Sequence, residues 1–294
     1  MNFDELIISS CLYYKKFSDE PFTGKTTGQR QYTIRRGEKH GPYVEYDQNR
    51  QLKEKGTYKD GWEEGPTVQF HRNGQVLSKR TYKDRKREGP QFVYYSNGQL
   101  WSKETYEDDK KEGPWVHYHE NGQLWSKVTC KDGKKEGLWG YYYANGQLGE
   151  KGIYKDDKKE GPWVHYHENG ELLSKGTYKD GKQEGPWIWY HENAQLREKG
   201  TYKDGKQEGP YVSYLKNGQL WEEGTYKDGK KEGLWGYYYA NGQLEEKGTY
   251  DDGKKEGPWV FYNKDGTKDM DGKGGRDLGH EGTGTYRNDK KVSD

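Results

Sequence analysis

The stretch that decides the fold is Gly161-Pro162-Trp163-Val164-His165-Tyr166-His167-Glu168-Asn169-Gly170-Glu171-Leu172-Leu173-Ser174-Lys175-Gly176-Thr177-Tyr178-Lys179-Asp180-Gly181-Lys182-Gln183-Glu184. It is one copy of a 24-residue unit whose leading glycine returns at Gly41, Gly65, Gly89, Gly113, Gly137, Gly161, Gly185, Gly209, Gly233 and Gly257 without insertion or deletion. A period of this size marks a supersecondary element that buries its apolar face only against its neighbours, so the units stack in an array. Taking the glycine as position 0, position 2 is mostly Trp, position 5 is aromatic in all ten units, and position 11 is aliphatic in the first nine. Positions 8 and 9 form a turn dipeptide such as Asn97-Gly98 or Asn217-Gly218. Asn-Gly between apolar runs is a strong hairpin signal, and Gly, Pro or Asn-Gly interrupts every window that would suit a helix.

Each unit therefore reads as one antiparallel β-hairpin, with a charged loop such as Lys179 to Glu184 leading to the next. The fold class is all-β: an extended, twisted single sheet of about ten tandem hairpins. A three-residue turn with left-handed glycine sets position 5 opposite position 11 and predicts that positions 3, 5, 11, 15 and 17 share a face. Trp at 2, His or Tyr at 4, Trp at 12 and Lys at 14 then fall on the other; a two-residue turn would instead set 2 beside 11. Arg50 and Ala194 stand where other units have the turn glycine, which predicts strain there. Residues 1–40 read as an N-terminal cap with a partial unit, 41–266 as the ten repeats, and 267–294 as an acidic Gly-rich loop and a capping strand. In that last segment Gly284-Thr285-Tyr286 recovers the pattern twelve residues late.

Composition bounds the function. Hydrophobic content of 28% against 34% charged residues would suit disorder, but 15% aromatics at fixed register argue for order. A net charge of +1 provides no general field for nucleic acid. No apolar run reaches transmembrane length, which leaves a cytoplasmic chain as the expectation. Ile8-Ser9-Ser10-Cys11 faintly resembles a lipoprotein processing site, so export or lipid anchoring through Cys11 is the alternative.

Candidate chemistry is sparse. His117 with His119, and His165 with His167, fall two apart on one strand, a spacing that could hold a metal. The two pairs lie two units apart, about 19 Å, and no third ligand is evident, so no metal is expected. Asp265, Asp269, Asp271 and Asp277 lack the order of a calcium loop. Ser78, Ser102, Ser126 and Ser174 recur at position 13 and so mark the repeat and not an activated nucleophile. No cofactor and no enzyme activity are expected. The remaining candidates are Trp101, Trp115, Trp125, Trp139, Trp163, Trp187, Trp189, Trp221 and Trp235. They are either an exposed stripe that binds a partner or clamps between neighbouring hairpins.

The recurring Gly-Pro-Trp-Val-x-Tyr, Asn-Gly-Gln-Leu and Gly-Thr-Tyr-Lys-Asp-Gly, with the opening Tyr13 to Gly24, resemble the MORN-variant repeat family and its bacterial YwqK-type antitoxins. The resemblance spans nearly the whole chain. It implies antiparallel hairpins in an extended sheet, no catalytic residues, and a non-catalytic scaffold binding a protein partner, plausibly a toxin encoded nearby. Edge-to-edge pairing into a homodimer is a further expectation from the open sheet ends. Tyr141 to Gly146 and Tyr237 to Gly242 also resemble aromatic cell-wall-binding repeats. That second likeness implies glycan or cell-wall binding, or attachment to a membrane surface, through the aromatic stripe.

Overall fold

The computed structural model describes residues 1–270 and 282–293. The chain is all-β, with a single 3-10 turn among the described residues, at Phe3–Glu5. It divides into two compact units, Met1–Gly146 and Gln147–Asp294, each built from the same antiparallel rungs.

Within a repeat the two long strands pair as expected from the turn. Gly161 lies opposite Tyr178, Trp163 opposite Gly176, Val164 opposite Lys175 and His165 opposite Ser174. The register then shifts, so that Tyr166 lies opposite Leu172. The turn closes through the His167 amide donating to the Glu171 carbonyl at 2.8 Å. Gly170 takes φ 87° there, while Arg50 and Ala194 adopt φ 62° and 61°, a left-handed backbone that costs a residue with a Cβ.

The shift corrects the expected division of faces. Position 12 has no opposite residue, and one bulged residue moves everything beyond it to the other side of the sheet. Positions 13, 15 and 17 therefore lie with 2 and 4, while 14 and 16 lie with 3, 5 and 11. Trp at position 2 is thus on the inner face with Gly at 15 and Tyr at 17.

The charged connector is also not a loop. Lys179 pairs with Lys182, and Asp180 and Gly181 between them have φ 51° and 82°. Two successive left-handed residues make a type I′ turn, whose twist suits a two-residue hairpin. Glu184, just before the next Gly-Pro, accepts the Asp204 amide at 3.0 Å and so ties adjacent connectors together.

A second irregularity places the core. Thr177 pairs with Glu184 and Lys175 with Ile188, so Gly176 alone faces Gly185, Pro186 and Trp187. Pro is tolerated there because the bulge asks no ladder hydrogen bond of it. The bulge drops the Trp187 ring onto Gly176, where an added Cβ would lie inside the ring's van der Waals envelope. Its Nε1 donates to the Thr177 carbonyl at 3.1 Å. The Tyr178 ring meets Trp187 edge-on at 5.1 Å and 81°. The same edge-to-face pairing returns at Tyr226–Trp235 and Tyr250–Trp259, both at 5.0 Å and 83°. This geometry exploits the positive edge of one ring and the negative face of the other.

Both ends are capped. A hairpin of Leu6–Ser9 and Leu12–Lys15 helps cover a cluster of Phe22, Tyr32, Ile34 and Tyr43. Exposed Cys11 sits in its tight turn at φ 65°. At the other end Gly257, Pro258 and Trp259 pair with Tyr286, Thr285 and Gly284. The late Gly-Thr-Tyr thus takes the place that positions 15 to 17 hold elsewhere.

Three outcomes are expected in urea titrations followed by circular dichroism. Gly176→Ala overpacks the Trp187 site and costs about 1–3 kcal/mol. Trp187→Ala empties it and costs about 3–5 kcal/mol. Ala194→Gly relieves a left-handed Cβ and stabilises by about 1 kcal/mol; no gain from that change would show that the turn is not strained.

Candidate functional site

The nine tryptophans do not form one stripe. Trp163, Trp187 and Trp235 are 0%, 1% and 0% exposed and lie on Gly152, Gly176 and Gly224. They are core, as is Trp259 on Gly248, a site that the recurring glycine at position 15 would have revealed. Trp189, at position 4, stacks on Trp187 at 5.5 Å. Trp221, at position 12, is half-buried.

Trp115 and Trp139 occupy the same position as the buried rings, yet both remain half-buried. The residues beneath them are Glu104 and Val128, not glycine. A side chain at position 15 holds the ring off the sheet. Trp101 and Trp125, at the bulge, are 37% and 38% exposed.

Three of these rings converge. Trp101, Trp115 and Trp125 surround His117 with ring centroids 5.8, 5.5 and 5.7 Å away. His117 Nε2 lies 3.4 Å from Glu104 Oε1, and its Nδ1 is 3.2 Å from the Ser126 hydroxyl. Burial alone would raise the pKa of Glu104. Hydrogen bonds from His117 and Tyr106, with the charges of His117 and Lys111, outweigh it and hold the carboxyl below its ordinary value. Lys111 Nζ sits 3.4 Å above the Trp115 ring, a cation–π contact. The patch is an aromatic surface built around the contact between His117 and Glu104.

Ser126, His117 and Glu104 have the connectivity of a nucleophile, a base and a carboxylate. However, Ser126 is 6% exposed, and its strand is paired on both sides, with His117 and with Tyr141. A nucleophile needs access and free amides for an oxyanion, and this position offers neither. Ser78, Ser102 and Ser174 are likewise buried on the inner face.

The other imidazoles are structural. His119 and His167 donate through Nε2 to the carbonyls of Tyr142 and Tyr190 in the following repeat, at 2.8 and 3.2 Å. His165 faces Glu150 at 3.6 Å, and burial lowers its pKa. Among the described residues no group of three metal-binding side chains comes together. Asp265 accepts from Thr267 within its own turn, and Asp269 is buried. Asp271 and Asp277 lie outside the described residues. No helix among those residues is long and apolar enough to cross a membrane.

On the outer face, position 14 presents exposed Lys55, Lys79, Lys103 and Lys127 in the first unit. In the second it presents Lys151, Lys175, Lys199 and Lys247, with Glu223 among them. Each lysine is paired with position 3 of its own repeat or the next, as Lys175 is with Val164 and Ile188. Successive cations are therefore about 10 Å apart, two strand spacings.

Comparison with known proteins follows this geometry. No curated protein matches the chain. Among solved structures, a TcdB2-TccC3 crystal structure is similar at 13% identity and a TM-score of 0.20, covering 75% of this chain and 14% of that one. The Photorhabdus luminescens Tc holotoxin pore is similar at 12% identity and the same TM-score of 0.20, covering 87% of this chain and 16% of that one. The chain thus spans only about a sixth of those much longer proteins, and scores this low carry no functional argument. The MORN repeat variant, by contrast, matches eight times, at 39–60, 63–84, 87–108, 111–132, 159–180, 183–204, 207–228 and 231–252. These matches cover more than half of the chain and share the period of the rungs, and the chain belongs to the MORN repeat variant family.

Proposed function

We propose that this protein is a non-catalytic repeat scaffold that binds a protein partner through the patch of Trp101, Trp115 and Trp125. The observation that supports this reading is the contrast among chemically identical rings. Where glycine lies beneath, as for Trp163 and Trp187, the ring is sealed in the core. Around His117 the rings are instead held open, with Trp101 and Trp125 more than a third exposed. Preorganised aromatic side chains lose little entropy on binding and dominate many protein interfaces. A toxin neutralised by occlusion, encoded beside this chain, is the partner that best suits a scaffold without chemistry of its own.

A second reading, glycan or membrane-surface binding, draws on one local feature of the second unit. Gly236 replaces the usual aliphatic residue at position 3 and opens a groove of about 500 Å³ walled by Leu234, Tyr238 and Leu244. Such a dent beside a tyrosine could seat a sugar ring.

The partner reading is tested by co-expressing the neighbouring gene product with this chain, measuring affinity and scoring rescue of growth. Trp101→Ala with Trp125→Ala is expected to weaken binding at least tenfold, a hot-spot loss of about 2 kcal/mol, with circular dichroism unchanged. Undiminished affinity in the double variant would exclude this patch. Retention on peptidoglycan, abolished by Gly236→Val, would favour the glycan reading. Sedimentation of the free chain separates a monomer from the edge-paired homodimer.

A further inference from the structure

One inner-face position in the first unit departs from the repeat in several ways at once. At the junction of the repeats beginning at Gly65 and Gly89, position 15 is Arg80 in place of glycine, and position 2 is Gln91 in place of tryptophan. Two neighbours change as well: Arg85 stands where most connectors have glycine, and Arg87 where the next repeats have lysine. Gln91 is 5% exposed, and its Nε2 donates to the Thr81 carbonyl at 3.2 Å. That is the hydrogen bond the Trp187 indole makes to Thr177. The amide keeps the donor and vacates the volume of the ring. A cavity of about 550 Å³ remains, lined by Arg80, Arg85, Arg87, Gln91, Trp101 and Tyr106 among others.

We propose that this cavity is an anion site that takes a phosphate group, free or as a monoester. Its charge is uncompensated in a specific way. Arg87 is already paired with Asp109 through Nε at 2.9 Å and stacks on Tyr106 at 4.0 Å. Glu104 also lines the cavity, but Oε1 faces His117 and Oε2 accepts from the Tyr106 hydroxyl at 2.9 Å. The Arg80 guanidinium makes no ion pair or hydrogen bond with any described residue. Arg85 makes only a cation–π contact, 4.8 Å above Trp62. Two guanidinium groups are therefore left without a carboxylate beside one cavity. Their planar forks match the oxygens of a doubly charged phosphate. Gln91 Oε1 is buried with no partner; inorganic phosphate, which as the doubly charged hydrogen phosphate keeps one O–H near neutral pH, can donate to it, whereas a doubly charged monoester engages the guanidinium groups alone. This site adjoins the proposed partner-binding patch and shares Trp101 with it, but it rests on the arginines and on the missing ring, and its test reads phosphate and not partner binding.

Isothermal titration of the full chain with inorganic phosphate, phenyl phosphate and sodium acetate at matched ionic strength tests the site. Saturable binding of one phosphate per chain is expected, with no heat from acetate. Tighter binding of phenyl phosphate would identify an ester as the natural ligand, and equal binding would identify free phosphate. The variant R80G/Q91W restores the Trp-over-Gly pair found elsewhere in the chain. It is expected to unfold at a temperature no lower than the parent and to lose at least tenfold in phosphate affinity. Should it misfold, R80Q removes one guanidinium with little change in volume and is expected to weaken phosphate binding in the same direction. Equal heats from acetate and phosphate, or a phosphate affinity untouched by R80G/Q91W or R80Q, would overturn the assignment.

Discussion

Everything in this protein depends on a missing side chain. A sheet one layer thick has no opposing layer to cover its apolar face, and an aromatic ring from the next rung is the cover at hand. The ring can lie flat on the strand only if the residue beneath has no Cβ. Gly152, Gly176, Gly224 and Gly248 meet that condition, and the Trp above each is sealed from water. The two bulges serve this contact. One, at position 12, turns position 15 inward. The other, at Gly-Pro, gives the following strand the slack to lower its ring. Tyr at 17 then closes the edge of the indole, and over Trp163, Trp235 and Trp259 a lysine two residues before the repeat glycine caps it from above, as Lys159 does over Trp163 at 4.0 Å. The lysine is itself held by the carboxylate at position 13, as between Lys255 and Glu246 at 3.0 Å.

This arrangement accounts for how much of the fold was legible in the sequence. Period, hairpin and the pairing of 5 with 11 follow from Asn-Gly and from side-chain alternation, which are local. Gly284 to Tyr286 repeats the Gly-Thr-Tyr of the units and pairs with Gly257 to Trp259 as those units do. The inward face was not legible, because a one-residue bulge leaves no mark in composition yet inverts every later assignment. Leu173 looks like any strand residue, although it has no partner across the ladder. The connector was misread for a different reason. Asp180-Gly181 carries the hairpin signal as plainly as Asn169-Gly170, but its flanks are charged, and charge reads as loop. Those flanking lysines point to solvent beside an aspartate ladder such as Lys158–Asp180, where a strand needs no apolar partner.

The candidate site was legible only in part, since tryptophan at position 2 looks identical whether it is core or surface. What separates the cases is the residue eleven places earlier, under the ring. Glu104 beneath Trp115 and Val128 beneath Trp139 are departures from glycine that sequence periodicity makes easy to see. Their meaning emerges only once those two positions are known to touch. His119 and His167 illustrate the converse: each lies two residues from another histidine, a spacing that could hold a metal, and both are fasteners between rungs, each donating to a carbonyl of the next repeat.

A repeat protein meets a problem that a globular enzyme does not, because identical units give identical surfaces and a partner would have no unique place to bind. The first unit resolves it by breaking its own rule in consecutive repeats: Arg80, Glu104 and Val128 replace the glycine beneath the ring. Each replacement forfeits a sealed indole and the burial free energy that goes with it, a few kcal/mol in an array whose stability is a sum over neighbours. The second unit, where Gly152, Gly176, Gly200, Gly224 and Gly248 continue unbroken, retains that stability. The regular repeats hold the sealed rings, and the departures from periodicity are where the proposed contacts lie.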